Sequence, residues 1–192
     1  SVVALVRPET DLWRLPSPSK ALVIRQIDLL DGDAVLAAMR HDRPRYVFHL
    51  AASGAYSWQR DPESILGVNV LGTAHLLAAA SDVDPRAVVC AGSSSEYGLK
   101  DHAPSESEVL EPNSVYAVGK AAASQLASVA AADGLPACTA RLYSVYGPWE
   151  EPGRLLPRLV TACQAGRWPP LVNPTTSRDF VFVDDVIDAF WS

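Results

Sequence analysis

Six short runs of apolar and β-branched residues recur along the chain: SVVALV (1–6), ALVIRQI (21–27), RYVFHL (45–50), RAVVCAG (86–92), PACTARL (136–142) and DFVFV (179–183). Between most of them lie stretches with helical periodicity, at 32–41, 62–82, 114–133 and 153–165. Strands that are apolar on both faces must be covered on both sides, and strands that alternate with helices pair in parallel. The expected fold is therefore α/β, with a doubly wound, mostly parallel sheet. Asp61 is placed to cap the second helix, and Pro62 suits its first position, where the missing N–H costs nothing. The stretches 7–20, 98–113 and 143–152, rich in Pro, Ser, Asp and Glu, read as surface connections. In such sheets the ligand crevice lies beyond the carboxyl ends of the strands. The residues that follow each strand are the ones to examine.

A chain of 192 residues, 48% apolar and 20% charged, fits one ordinary soluble domain. A net charge of −6 offers no basic surface for nucleic acid or anionic lipid. No run approaches the ~20 apolar residues that a membrane span needs, so neither a membrane nor a nucleic-acid partner is expected. Cys90, Cys138 and Cys163 are odd in number, widely spaced and far from any histidine cluster. They are expected to be buried, reduced thiols of a cytoplasmic protein, and no metal site is expected. The chain starts inside an apparent strand without an initiator methionine and stops within the helical pattern DDVIDAFWS. It reads as a portion of a longer polypeptide.

Three segments after strands carry residue types suited to chemistry. In YAVGK, Tyr116 and Lys120 stand four apart, which on a helix puts them on one face. An ammonium beside a phenol favours the phenolate and lowers the tyrosine pKa from about 10 toward the range of a working acid or base. Taken alone, the same spacing is common on exposed helices. In AGSSSEYG, three serines at a strand end place hydroxyls at the crevice mouth, although a polar turn would look the same. In HLAASGA, small side chains let another molecule approach the backbone, or let a helix pack tightly.

Taken in order, RQIDLLD, HLAA, NVLGT, GSSSEYG, YAVGK, RLYSVYGP and RDFVFVDDV resemble the extended short-chain dehydrogenase/reductase family of nucleotide-sugar epimerases, dehydratases and ketoreductases. The resemblance covers nearly the whole chain and implies a Rossmann-like fold. Residues 1–170 would be an NAD(P)-binding domain incomplete at its N-terminus, and 171–192 the start of a substrate-binding region. It implies Tyr116 as acid/base, Lys120 as the group that lowers the tyrosine pKa and holds the nicotinamide ribose, and Ser93 as the hydroxyl on the reacting sugar oxygen. Asp28 and Leu29 would contact adenine, Leu50, Ala51 and Ala52 would line the cofactor, and Asn69 and Tyr143 would support it. Ser94, Ser144 and Arg178 would face the nucleotide sugar, Arg178 through its diphosphate. The family often pairs through two long helices, here 62–82 and 114–133, which implies a homodimer.

Four departures narrow these expectations. Family dehydratases have acids directly after the catalytic hydroxyl, whereas Ser94 and Ser95 stand here and Glu96 is displaced by one position; sugar 4,6-dehydration is disfavoured. Val6 and Arg7 stand where NAD-selective members end the strand in an acid, so NADP is expected, with NAD as the alternative. Ser144 replaces a frequent asparagine, leaving the hexose contact open. Finally, no glycine-rich phosphate turn is present, and the first run matches the family's second strand. The sheet is expected to be interrupted where a central strand would lie. The expected function is an NAD(P)-dependent nucleotide-sugar 4-ketoreductase or epimerase. A non-catalytic relative of the same fold, or a reductase of a small carbonyl compound, are the alternatives.

Overall fold

The structure is a computed structural model that describes residues 1–169 and 177–192. The boundary expected at 170/171 lies outside the described residues. Packing divides the chain into two compact units, Ser1–Arg141 and Leu142–Ser192.

In the first unit, strands β1 (Val2–Val6) and β2 (Leu22–Gln26) pair in parallel, Val2 opposite Leu22. Strands β3 (Tyr46–His49), β4 (Ala87–Ser93) and β5 (Ala137–Leu142) form a second sheet with β4 in the middle, and β3 runs parallel to β4 with Tyr46 opposite Ala87. The alternation of apolar runs and helices has thus produced the expected Rossmann-like α/β arrangement. Among the described residues no pairing joins β1 or β2 to β3, so the expected interruption of the sheet is present.

Three helices of this unit begin at side-chain caps. Asp31 accepts from Ala34 N at 3.0 Å to start α1 (Gly32–Asp42). Asp61 accepts from Ser64 N at 3.0 Å, with Pro62 first in α2 (Pro62–Leu66). The helix continues through a π-helical turn, Gly67–Leu71, into α3 (Gly72–Val83). The periodicity of the sequence marks one helix over 62–82 and gives no sign of that turn. Ser114 Oγ accepts from Ala117 N at 3.1 Å and caps α4 (Val115–Ala132). Val35 and Met39 of α1, Leu76, Leu77 and Ala80 of α3, Ala127 of α4, Val47 of β3, and Val88 and Cys90 of β4 make the core. Each buried valine, leucine or methionine side chain among them contributes about 1.5–3 kcal/mol.

In the second unit, β6 (Ser144–Tyr146) pairs in parallel with β7 (Phe180–Phe182), Ser144 opposite Phe180, beside α5 (Leu155–Gln164) and α6 (Val183–Trp191). Strand β6 corrects the reading of 143–152 as pure connection. Three residues ahead of Gly147 and Pro148 carry too little pattern to announce a strand, and its partner lies far along the chain.

Two further expectations are corrected. The segment Pro62–Val83 is long and apolar enough to cross a membrane, yet nearly half of it is buried within the protein, where α3 packs on α1 and α4. Only Cys90 is buried; Cys138 and Cys163 are free but exposed. Cys138 lies on β5, at the margin of its sheet, and Cys163 on the outer side of α5, positions that their apolar neighbours in sequence do not reveal. Burial pushes the Cys90 thiol up to about 11, so it is an inert core residue rather than a nucleophile.

Candidate active site

Strand β4 ends at Ser93, which is buried, and the chain turns at once into a 3₁₀ turn, Ser94–Tyr97. Ser93 Oγ accepts from Ser95 N at 3.2 Å, and Ser93 N donates to Glu96 Oε1 at 2.7 Å. The backbone N–H occupies one lone pair of the hydroxyl oxygen, which leaves the O–H free to donate. Glu96 is fully buried and also accepts from Ser124 Oγ at 2.7 Å and Arg141 Nε at 3.0 Å. It therefore presents no free acid of the kind a dehydration would use.

Helix α4 brings the second and third groups. Lys120 is buried, and its Nζ donates to Ala91 O of β4 at 2.5 Å, two residues before Ser93. Burial lowers its pKa below the usual lysine value, while the Glu96 carboxylate works in the opposite direction and favours the cation. One N–H of the ammonium serves Ala91, so two remain for another acceptor. Tyr116 is half-buried in the first turn of the helix and, one turn from Lys120, shares its face. The glycine of YAVGK has its own reason. A Cβ at Gly119 would lie 3.1 Å from Asn69 Cβ, a tight contact that would push α4 and the π-helical turn apart by a few tenths of an ångström.

Asn69 holds the segment after β3. Its side chain accepts from Ser53 N at 2.8 Å and donates to Ser53 O at 2.8 Å, both buried. It thus straps the β3 loop, with its amide engaged by the Ser53 backbone. Leu50, Ala51 and Ala52, immediately before the strap, are exposed at the carboxyl end of β3. Arg7, directly after β1, is also exposed, while Asp28 and Leu29, after β2, are half-buried. Asp28 Oδ1 accepts from Leu30 N at 2.9 Å, and Leu29 O is bonded to His75 Nδ1 at 2.8 Å.

His49, the last residue of β3, was not singled out by sequence. It is buried, with Nε2 2.8 Å from Thr73 Oγ1, and that hydroxyl donates to Asn69 O at 2.7 Å. Since the threonine proton goes to the carbonyl, His49 must carry its hydrogen on Nε2 and donate. A histidine ending an otherwise apolar strand is the only signal the sequence offered. Burial, with Lys120 adding to it, lowers its pKa from 6.5 to about 4. The unfolded chain protonates His49 below pH 6.5 while the folded one does not until about pH 4, so stability falls as pH drops through that window, by about 3 kcal/mol in all. Urea unfolding across this range should show that slope, and it should flatten in His49→Gln. An unchanged slope in the variant would assign the pH dependence to another group.

In the second unit, Ser144 opens β6 with its N–H on Asp179 O at 2.9 Å, and Tyr143 before it is exposed. Ser144 and the exposed Arg178 line one cavity of about 270 Å³, together with Glu150, Arg154, Leu155 and Phe180. Of the expected residues, the structure thus gathers Ser93 and Lys120 at the end of β4 with Tyr116 one helical turn away, and separately Ser144 with Arg178.

The fold is Rossmann-like, with Ser93 at the carboxyl end of the middle strand of a sheet and the buried Lys120 of α4 bonded to the same strand. The chain belongs to the NAD dependent epimerase/dehydratase family, whose model matches residues 6–192. It is 34% identical over 179 residues to UDP-glucose 4-epimerase of Mycolicibacterium smegmatis, a match covering 85% of this chain and 54% of that protein. It is 30% identical over 151 residues to UDP-glucuronate 4-epimerase 6 of Arabidopsis thaliana, covering 74% of this chain and 33% of the relative. The solved structure of MoeE5 in complex with UDP-glucose and NAD is 34% identical, with a TM-score of 0.79, over 98% of this chain and 62% of that one. The chain spans between a third and just over half of the length of these curated relatives.

Proposed function

We propose that the protein takes part in NAD(P)-dependent epimerisation of a nucleotide sugar at C4. The observation that carries this reading is the Lys120 to Ala91 hydrogen bond, which fixes the YAVGK helix against the strand that ends in Ser93. Names of relatives that end in 4-epimerase favour epimerisation over net reduction.

In this reading a bound nicotinamide supplies hydride acceptance and return. Lys120, with two N–H groups beyond the one on Ala91, would hold its ribose, and the small, exposed Ala51 and Ala52 would leave the backbone after β3 open to close approach. Tyr116, as phenolate, takes the C4 hydroxyl proton and later returns it. Ser93 donates to the same sugar oxygen and keeps it oriented while the carbon changes hybridisation. The Lys120 charge stabilises the phenolate. Arg178 and Ser144, which line one cavity of the second unit, are proposed as contacts of the nucleotide sugar, Arg178 through its diphosphate.

Full chain incubated with NAD and UDP-glucose or UDP-glucuronate should yield the C4 epimer without net change in cofactor redox state. Absence of any epimer from either sugar counts against the reading. A second reading, 4-keto reduction with NADPH, is kept alive by Arg7, whose exposed guanidinium suits a 2′-phosphate; against it, MoeE5 was solved with NAD. Loss of reduced-nicotinamide absorbance in step with keto-sugar consumption would select the second.

The homodimer belongs to the same proposal. Leu66 and Leu71 on one helix and Val118 and Val129 on α4 are exposed, as large apolar side chains at a helix-pairing surface would be. Light scattering of the full chain should give twice the chain mass, and a monomer at micromolar concentration rules the pairing out.

A further inference from the structure

We propose that Glu96 is a positioning residue that holds the Ser93 turn and helix α4 in mutual register through one buried carboxylate. The inference rests on Ser93, Tyr116 and Lys120 being the reacting groups, and it concerns how they are kept together. One carboxylate oxygen takes the Ser93 N–H at 2.7 Å; the other takes Ser124 Oγ at 2.7 Å and Arg141 Nε at 3.0 Å. Ser124 stands one turn beyond Lys120 and two beyond Tyr116, so positions 116, 120 and 124 form a single stripe along α4. Lys120 pins that stripe to Ala91 from one side of Ser93, and Ser124 pins it through Glu96 from the other. The two attachments add to the packing of Ala127 and Gly119 and set the height and rotation of α4 relative to the Ser93 turn.

A fully buried carboxylate needs a compensating charge and filled lone pairs. Arg141 provides the charge, and it also donates to Tyr97 Oη at 3.0 Å and to Glu106 O at 3.1 Å. Its guanidinium lies over the Tyr97 ring, 5.0 Å from the centroid. The same ion pair therefore also anchors the loop that follows the 3₁₀ turn. The carboxylate is fully buried and its oxygens are taken up by three donors, so Glu96 is placed to hold structure rather than to transfer a proton.

Glu96→Ala would leave Arg141 unpaired and is expected to unfold, so the test uses Ser124→Ala, which removes only the helix attachment and suits an alanine-rich helix, with Ser124→Thr restoring the hydroxyl. In the full chain, Ser124→Ala is expected to lower kcat at least tenfold with KM for the nucleotide sugar unchanged, and Ser124→Thr to recover most of it. Amide hydrogen exchange should rise together at residues 92–97 and 116–124 in Ser124→Ala. An unchanged kcat in Ser124→Ala, where Tyr116→Phe inactivates the enzyme, would overturn the positioning role and leave the catalytic assignment standing. If the wild type turns over no nucleotide sugar, the functional reading fails, and exchange still decides: a rise in both segments supports the Glu96 tie, and a rise in neither refutes it.

Discussion

Tyr116→Phe is expected to cut turnover by about 10²- to 10⁴-fold, the range a positioned acid/base supplies, while unfolding at nearly the wild-type denaturant concentration. The ring is half-buried in the first turn of α4, and phenylalanine fills the same volume there, so only the proton-carrying oxygen is lost. Lys120 would stay bonded to Ala91, and Ser93 would keep its bonds to Ser95 and Glu96. The variant should therefore still bind nucleotide sugar with ordinary affinity and fail at the chemical step, which single-turnover measurements separate from binding. Full activity in the variant would move the acid/base role to another group and remove the chemical reason for the spacing of YAVGK.

The largest stability effect is expected at Gly98, the glycine that closes GSSSEYG. Its φ of +77° is a conformation that L side chains rarely adopt, and an added Cβ would stand 2.0 Å from the Glu111 carbonyl oxygen. That carbonyl belongs to a stretch held by the backbone bond from Glu111 N to Glu96 O at 3.2 Å, so neither side can retreat without opening the turn that carries Ser93. Gly98→Ala should cost more than about 3 kcal/mol. Gly134 serves as the control. Its φ is +102°, but an added Cβ meets nothing within 4 Å, so Gly134→Ala should cost only the backbone term of about 1–2 kcal/mol. Denaturant unfolding of the two variants side by side isolates the steric clash; equal losses would show that backbone conformation alone makes the glycine necessary at Gly98.

Much of this molecule was legible before any coordinates. The order of strands and helices, the Asp61 cap with Pro62 behind it, and the shared face of Tyr116 and Lys120 all depend on patterns a few residues long. The backbone ladder of a helix repeats every 3.6 residues and that of a strand every two, so the side chains that must be buried repeat with them. The absence of a glycine-rich turn was equally visible, and with it the interruption between the β1–β2 pair and the sheet built on β4.

What tertiary structure alone decided is the partnership of groups far apart in the chain. Glu96 reads in sequence as a displaced acid after three serines, and only the fold delivers Arg141 to it, 45 residues on. Asn69 reads as part of a helix, yet it straps Ser53, 16 residues earlier, and sits where Gly119 leaves room for α4. Strand β6 exists because β7 comes alongside it, and the exposure of Cys138 and Cys163 depends on what does or does not cover β5 and α5. The physical reason is that local hydrogen-bond periodicity is written into neighbouring residues, whereas the cost of burying a charge or an amide is met by whichever distant group the packing brings within 3 Å.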